Sequence, residues 1–390
     1  MEYARIDVDA HIQEPPDCWT SRMSRAKWGD RIPHTEWFDP SVDDGMMRLP
    51  YLIEHHERME RWVIDGKPTL PFPSICQAVM PDRETLPSRW EDVPPSVYRA
   101  RERLEAMDRD GISAAVLYPN VTGPSADAFA GLDPEFEADC VRAYNDFLSE
   151  ELLGHDRERF VALTVVPYSG IERTVAEVVH NRERGHGGVI MTSAPHQRGL
   201  PYFNDTYWDP LWSVCQEMDH PVHFHGSGGA AKMRLDLMPD TGARRGRALM
   251  GSVGFNLQGQ YMSNFLFSGV FERFPGLTFV IAETGLGWVP YVLEACDHEW
   301  ERNRLWKHGL ERKPSEVFRD RVYVDFWYEK HGLKNWEFIG ADRIMWESDF
   351  PHPTSLWPES AKHVEESLAG VPEEARQMIL VDNARKVYKL

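Results

Sequence analysis

The sequence predicts a (β/α)8 barrel of the TIM type that forms a single domain over residues 1–390. Three observations lead to this fold class. Short apolar segments recur along the chain, charged amphipathic stretches separate them, and no G-x-G-x-x-G motif follows the first segment. Short apolar strands that alternate with helices are typical of a parallel sheet, and eight such units favour a closed barrel over an open sheet.

The strands and helices follow from the periodicity of apolar residues along the chain. Strands are expected at 6–10, 114–119, 160–167, 188–191, 221–225, 277–283, 322–326 and 343–346. Helices are expected at 97–110, 134–153, 171–184, 207–218, 248–274, 288–306, 360–369 and 372–389. The active site of such a barrel lies at the carboxyl ends of the strands, so functional side chains are sought there.

A long insertion follows the first strand, at about 20–95, and is rich in proline, tryptophan, arginine and aspartate. Its helical periodicity is confined to one stretch, at 51–62. Loops of this length are uncommon in compact domains and are often functional. We expect the insertion to cover the mouth of the barrel and to supply aromatic or basic side chains to the pocket.

Composition and charge argue against several classes of partner. The net charge of −19 disfavours nucleic acid and an anionic membrane surface as partners. No apolar run is long enough to span a membrane, and the N-terminal residues do not resemble a signal peptide. The five cysteines are scattered, which is typical of free thiols in a reducing compartment. We therefore expect a cytoplasmic protein that acts on a small molecule.

Candidate metal ligands stand at the ends of four predicted strands. Asp9 and His11 end the first strand two residues apart, so their side chains point to the same face. His225 ends the fifth strand, Glu283 ends the sixth, and Asp349 follows the eighth. Carboxylate and imidazole groups from separate strands that meet at one barrel face can hold a divalent metal ion.

These segments resemble the amidohydrolase superfamily, and within it the amidohydrolase 2 group. That group contains aminocarboxymuconate-semialdehyde decarboxylase, resorcylate-type decarboxylases and related lactonases. The resembling stretches are IDVDAHIQEP at the first strand, WDPLWSVCQEMDHPVHFH at the fifth, FPGLTFVIAETGLGWVPYVLE at the sixth and ADRIMWESDFPH at the eighth. The C-terminal ILVDNARKVYKL is similar to the closing helix of the family. The resemblance covers most of the chain except the insertion.

The resemblance implies a metal-dependent enzyme with Asp9, His11, His225 and Asp349 as ligands, and with Asp349 also acting as general base. The chain departs from the family pattern at two positions. The superfamily commonly has H-x-H on the first strand, where this chain has Asp9. The decarboxylases commonly have a histidine at the end of the sixth strand, where this chain has Glu283. A carboxyl group with an ordinary pKa of about 4.3 cannot replace a histidine in proton transfer, but it can ligate or bridge a metal.

Two further histidines are candidates for a second metal site beside Glu283 and Asp349. His298 lies in the helix after the sixth strand, and His352 lies three residues after Asp349. A single zinc, manganese or iron ion would suit hydrolysis or decarboxylation. Two metals bridged by a carboxylate would suit a dinuclear non-haem iron or iron/manganese oxygenase, a variant known for amidohydrolase-like barrels. A non-catalytic barrel that serves as a subunit of a partner enzyme is a third alternative, which the intact ligand set disfavours.

The leading hypothesis is a metal-dependent hydrolase or non-oxidative decarboxylase that acts on a small organic acid, amide or lactone. Members of the resembling group commonly form dimers. The predicted helix at 248–274 also carries more apolar surface than one barrel flank needs. We therefore expect a homodimer or higher oligomer, with a hetero-oligomer left open.

Overall fold

The computed structural model describes residues 3–40, 57–70, 72–83, 85–123, 126–226, 248, 252 and 258–390 of the chain. Its strands are β1 (Ile6–His11), β2 (His34–Phe38), β3 (Met59–Ile64), β4 (Lys67–Pro68), β5 (Ala114–Tyr118), β6 (Phe160–Val165), β7 (Gly188–Ile190), β8 (Val222–His225), β9 (Phe279–Ala282), β10 (Val322–Phe326) and β11 (Ile344–Trp346). The parallel strands β1 and β5 to β11 form one sheet in sequence order, and β2, β3 and β4 form a small antiparallel sheet. The predicted barrel is thereby confirmed.

Helices connect the barrel strands and cover the outside of the sheet. They are α1 (Asp17–Thr20), α2 (Arg25–Trp28), α3 (Ala100–Asp110), α4 (Pro134–Phe147), α5 (Ile171–Glu183), α6 (Asp209–Glu217), α7 (Gln258–Leu266), α8 (Val270–Arg273), α9 (Val289–Arg302), α10 (Pro314–Arg321), α11 (Trp336–Ile339), α12 (Ser360–Ser367), α13 (Glu373–Gln377) and α14 (Asn383–Tyr388). Local chemistry fixes their ends. Asp133 caps α4 by accepting from the amides of Glu135 and Phe136, and Gly111 ends α3 with a φ of 70°.

The barrel closes between β1 and the segment that follows β11. Ala10 forms a parallel bridge with Phe350, and the amide of His11 donates to the Phe350 carbonyl at 2.6 Å. The amide of Asp349 donates to the carbonyl of Asp9 at 3.0 Å. All residues of the barrel strands are buried, as expected for a parallel sheet with helices around it. Closure therefore brings the first and last strand ends into main-chain contact.

Two predicted helices differ from the structure. Within the stretch at 51–62, residues 51–56 lie outside the described part, and Met59–Ile64 is a strand. It pairs with β4 through a turn in which Asp65 and Gly66 have φ values of 54° and 70°. An Asp-Gly pair between two strands is a strong hairpin signal, and it overrides the helical periodicity here. Residues 249–251 and 253–257 of the predicted helix at 248–274 lie outside the described part. The helix does not continue to its predicted end, because α7 stops at Leu266 and Gly269 adopts a φ of 77° before α8.

The insertion contacts the loops that follow β1 and β11. Gln13, just after β1, accepts from the hydroxyl of Ser74 at 2.9 Å and from the amide of Ile75 at 3.0 Å. The amide of Ala78 donates to the carbonyl of Pro351 at 3.1 Å. These bonds fix one part of the insertion near two carboxyl strand ends. Coverage of the whole barrel mouth stays a prediction, since residues 41–56 lie outside the described part.

Candidate metal centre

The barrel gathers five of the predicted site residues at the carboxyl ends of its strands. Asp9 and His11 lie on β1, His225 ends β8, Glu283 follows β9 and Asp349 follows β11. Glu283 is 6% exposed, and the other four are 0–1% exposed. Strands separated widely in sequence thus deliver carboxylates and imidazoles to one enclosed space, as the strand-end argument predicts.

The side-chain atoms of this cluster are within a few ångströms of one another. The Nε2 atoms of His11 and His225 are 3.2 Å apart. His225 Nε2 is 3.3 Å from Asp9 Oδ2 and 3.2 Å from Glu283 Oε2. His11 Nε2 is 3.4 Å from Asp9 Oδ1 and 3.6 Å from Asp349 Oδ1. Ligand atoms of Asp9, His11 and His225 all fall within 4.8 Å of one another, the spacing of a metal site.

A main-chain contact fixes the tautomer of His11. Its Nδ1 is 3.1 Å from the carbonyl oxygen of Pro119, which can only accept, so Nδ1 carries the proton. Burial, and after it the charges of His352 and His225, keeps the pKa of His11 well below its usual value. The ring is therefore neutral, and the lone pair of Nε2 points into the cluster. This is the arrangement in which an imidazole binds a metal ion.

The carboxylates of the cluster lack the donors that buried acids need. Neither carboxylate oxygen of Asp9 has a hydrogen-bond donor within the described part of the chain. Burial, followed by the charges of Glu283 and Asp349, raises the pKa of Asp9 well above its usual value. A divalent cation would complement these bare oxygens and imidazole nitrogens together, because this donor set suits zinc, manganese and iron. The residues present therefore fit a metal ion.

The two strand-end acids on β9 and β11 have left-handed backbone conformations. Glu283 has a φ of 52° and Asp349 a φ of 53°, which non-glycine residues rarely adopt. The amide of Glu283 donates to Asp325 Oδ1 at 3.1 Å and to Glu347 Oε2 at 3.2 Å, while the hydroxyl of Thr354 donates to Asp349 Oδ2. Such strain is typical of functional sites, where neighbouring groups hold a side chain in place.

Burial also changes the chemistry expected of Glu283. Burial, followed by the charges of Asp349 and Asp325, raises its pKa well above the usual value. The prediction that Glu283 cannot replace a histidine in proton transfer applied to a carboxyl group with an unperturbed pKa, and the buried side chain is not such a group.

Of the two further histidines, the structure brings one to the cluster. The ring of His352 stacks on that of His11, with centroids 3.9 Å apart and an interplanar angle of 29°, and its Nδ1 is 2.8 Å from Asp349 Oδ1. His11, Asp349 and His352 form a second set with ligand atoms within 4.8 Å.

His298 does not join these sets and is exposed on α9. It lies nine residues after the first residue of α9, roughly 13 Å along the axis at 1.5 Å per residue. A helix that follows a barrel strand runs back from the carboxyl face. Proximity to the sixth strand in sequence therefore did not mean proximity to its end.

Sequence reasoning missed several buried polar residues around the cluster. They are Asp7, Arg103, Asn120, Asp325 and Glu347, each less than 10% exposed. Asp325 and Asn120 carried a usable signal, since both lie at or just after the carboxyl end of a predicted strand. Arg103 carried none, because an arginine in a charged helix normally faces solvent.

An α/β barrel with imidazoles and carboxylates gathered at the carboxyl ends of its strands is the architecture of metal-dependent barrel enzymes. A family model described as Amidohydrolase matches residues 6–390. The chain therefore belongs to the amidohydrolase family, as the sequence motifs predicted.

Individual relatives agree with this membership. The chain is 28% identical over 305 residues to Decarboxylase orsB of Emericella nidulans, covering 74% of this chain and 85% of that protein. An amidohydrolase from Mycobacterium avium subsp. paratuberculosis superposes with a TM-score of 0.76 at 23% identity, with complete coverage of both chains. A dihydroxybenzoic acid decarboxylase from Polaromonas sp. JS666, solved with manganese and 2-nitroresorcinol, has a TM-score of 0.60 at 21% identity and covers 77% and 89% of the two chains. The two structures share the barrel fold with this chain.

Proposed function

We propose that the protein is a metal-dependent non-oxidative decarboxylase of a small aromatic acid that carries a ring hydroxyl. The observation that supports this most is the meeting of the His11 and His225 Nε2 atoms with the donor-free oxygens of Asp9 in a buried space. The decarboxylase among the relatives and the manganese-containing dihydroxybenzoic acid decarboxylase among the structural neighbours supply the reaction and the substrate class.

One divalent ion is proposed for this site, held by Asp9, His11, His225 and Asp349. The second set of three side chains shares His11 and Asp349 with these ligands, so it does not offer an independent second site. Manganese is the first candidate because a structural neighbour was solved with it. When bound, the ion supplies positive charge that holds the anionic oxygens of a substrate. The dinuclear oxygenase has no support among the relatives and is not proposed.

The protein side chains have defined tasks in this reaction. Loss of CO2 breaks the bond between the carboxylate carbon and the ring, leaves the electron pair on the ring carbon, and requires one proton there. Asp349 is proposed to carry that proton at Oδ1, where His352 Nδ1 lies 2.8 Å away and can help return a proton after turnover. The burial of Asp9, His11, His225 and Asp349 excludes bulk water and so favours proton transfer from a side chain.

The test is a direct assay for CO2. Chelated protein is reloaded with Mn2+ and incubated with isomers of dihydroxybenzoic acid labelled with 13C at the carboxyl carbon. We expect release of labelled CO2 and, in D2O, incorporation of one deuterium at the vacated ring position. Hydrolysis of an amide or lactone panel by the same preparation, without CO2 from any hydroxybenzoate, would favour the hydrolase alternative and reject decarboxylation.

Assembly and location are proposed along with this activity. A small-molecule substrate agrees with the relatives. No helix within the described residues is both long and apolar enough to cross a bilayer. A homodimer or higher oligomer and a cytoplasmic location stay predictions. Analytical ultracentrifugation at micromolar concentration tests the first, and cell fractionation tests the second.

A further inference from the structure

A chain of hydrogen bonds leads from the loop after β1 to the candidate metal centre. The carboxylate of Glu14 accepts from the amides of Asn120 and Val121, each at 3.0 Å. The side-chain nitrogen of Asn120 donates to the carbonyl of Ile12 at 3.0 Å. Asn120 is 7% exposed and Glu14 1% exposed, so these bonds are shielded from water. The asparagine is thus held by its main chain and by one end of its amide group.

The bond to Ile12 decides which way the Asn120 amide group points. A carbonyl oxygen can only accept, so the atom that faces Ile12 is the amide nitrogen. The amide oxygen then faces His352, with Oδ1 2.7 Å from Nε2. Since this oxygen also only accepts, Nε2 of His352 must carry a proton. The fixed amide therefore fixes the tautomer of the histidine.

This tautomer directs the other nitrogen of His352 toward the metal centre. Nδ1 then has a lone pair and lies 2.8 Å from Asp349 Oδ1, and the ring stacks on His11. These two acceptor atoms belong with His11 to the second set of ligand atoms within 4.8 Å. Thr354 donates to the other oxygen of Asp349. With His11, His352 and Thr354 around it, the Asp349 carboxylate has one defined orientation. The backbone of Asp349 is in the left-handed region, a conformation that persists where surrounding contacts hold the residue.

We infer that Asn120 is a positioning residue of the metal centre, which acts by holding His352 so that the lone pair of Nδ1 faces the metal site beside Asp349 Oδ1. This inference rests on the metal site of the proposed function. Hydrogen bonds that orient metal ligands commonly contribute about 10- to 100-fold to metal affinity. The side-chain hydrogen bonds of Asn120 go to Ile12 and His352, so the part of its effect that depends on its amide oxygen should disappear when the nitrogens of His352 are removed.

The experiment compares Mn2+ dissociation constants by calorimetry for two variants of Asn120. Asn120→Asp retains an oxygen that accepts from His352 Nε2, whereas Asn120→Leu has similar size and no acceptor. We expect Asn120→Leu to bind Mn2+ at least about tenfold more weakly and Asn120→Asp to stay within about threefold of wild type. Wild-type affinity in folded Asn120→Leu would overturn the inference. Equal weakening in both variants would also overturn it, because the lost bond to Ile12 would then be the cause.

A variant of His352 and a smaller substitution of Asn120 keep the test decisive if Asn120→Leu does not fold. His352→Phe retains an aromatic ring that can stack on His11 but lacks both nitrogens. We expect it to weaken Mn2+ binding by about tenfold or more. Asn120→Ala, which lacks the acceptor and has a smaller side chain than leucine, should weaken Mn2+ binding in wild type but add nothing in that background. Wild-type Mn2+ affinity in His352→Phe would overturn the inference.

Asn383→Leu is the matched control. Asn383 is also a buried asparagine, 4% exposed, whose amide nitrogen donates to the carbonyls of Ala341 and Ile344. Those carbonyls lie at the amino end of β11, at the opposite end of the barrel from the candidate centre. We expect lower stability and unchanged Mn2+ affinity. Mn2+ affinity is measured without substrate. If the wild-type protein binds Mn2+ but releases no CO2, the proposed decarboxylation is rejected and the inference on Asn120 is not.

Discussion

Two environments of buried histidine in this barrel have equal burial and opposite chemistry. Nε2 of His186 is 3.0 Å from the hydroxyl of Ser149, and Nδ1 is 3.0 Å from the hydroxyl of Thr164. Hydroxyl groups both donate and accept, so both ring nitrogens are satisfied in the neutral form. The Nε2 atoms of His11 and His225 instead face each other and the oxygens of Asp9, for which the described residues supply no hydrogen-bond donor. The first environment is complete, and the second needs a cation.

Titration alone would not separate these two environments. Burial lowers the pKa of His186 to about 3 and that of His225 to about 3 as well. What differs is whether the neighbouring atoms complement the neutral ring. The comparison teaches that a metal centre is recognised by missing donors rather than by a shifted pKa, since buried structural histidines show the same shift.

The largest expected effect is on catalysis at Asp349. Asp349→Asn keeps the shape of the side chain but cannot hold or release a proton at Oδ1. We expect kcat on any dihydroxybenzoate that wild type decarboxylates to fall roughly a thousandfold. Stopped assays of CO2 release measure it. Activity within a few-fold of wild type would show that the proton comes from another group.

Alanine variants of His225 and His186 test directly whether the two histidine environments differ in metal binding. His225→Ala removes a proposed ligand, so Mn2+ affinity should fall by about a hundredfold or more. His186→Ala leaves the hydroxyls of Ser149 and Thr164 with a cavity, which should cost about 3 kcal/mol of unfolding free energy and leave Mn2+ affinity unchanged. Calorimetric titration and urea unfolding of the chelated proteins supply both numbers. A loss of Mn2+ affinity in His186→Ala would remove the distinction drawn between the two environments.

Removal of the metal ion should lower the unfolding free energy of wild type but not that of a variant that lacks the ligand His225. An ion that binds the folded state alone stabilises it by about 2.7 kcal/mol at a hundred times its dissociation constant. Wild type at that Mn2+ concentration should therefore lose about this much on chelation and recover it on reloading. Chelation should leave the unfolding free energy of His225→Ala nearly unchanged. An equal loss in both proteins would mean that the ion binds elsewhere.

The smallest expected effect is the pH dependence contributed by His186. Burial, and then the charge of Arg184, lowers its pKa, so between pH 6.5 and 3 the unfolded chain binds the proton and the folded chain does not. The stability from the neutral ring is complete above pH 6.5 and is lost as the pH falls. From pH 6.5 to 4.5, wild type should lose about 2 kcal/mol more than His186→Gln. Urea unfolding of the chelated proteins at both pH values measures this difference. An equal loss of unfolding free energy in wild type and His186→Gln would contradict the lowered pKa of His186.

The strand pattern was readable from sequence because parallel barrel strands are short, apolar and interrupted by helices. The same pattern placed Asp9, His11, His225, Glu283 and Asp349 at one face, where the structure brings them together. Their roles as ligands stay predictions until a metal is measured. This part of the site was accessible since strand ends are fixed by local sequence and the barrel then fixes where they meet.

The remainder of the site depends on contacts that local sequence does not encode. Asn120 meets His352 beside the end of β1, because β5 pairs with one side of β1 and the segment after β11 with the other. Arg103 is buried because α3 packs against the loop after β11, where the guanidinium lies 4.0 Å from the ring centroid of Phe350. The prediction of His298 as a metal ligand did not match the structure, because the direction of α9 places this residue away from the strand end. The hairpin of β3 and β4 was missed because apolar periodicity over a few residues does not separate strand from helix.

Closure of the barrel also has a consequence for the order of events on the ribosome. The amide of Asp349 bonds to the carbonyl of Asp9, and the amide of His11 bonds to Phe350, so the site spans the first and last strands. The first strand leaves the exit tunnel long before the last one is synthesised. Metal loading at the full site must therefore follow translation of β11, and a prematurely terminated chain that lacks Asp349 lacks the complete set of ligands. Abortive products of synthesis thus cannot form the complete metal centre.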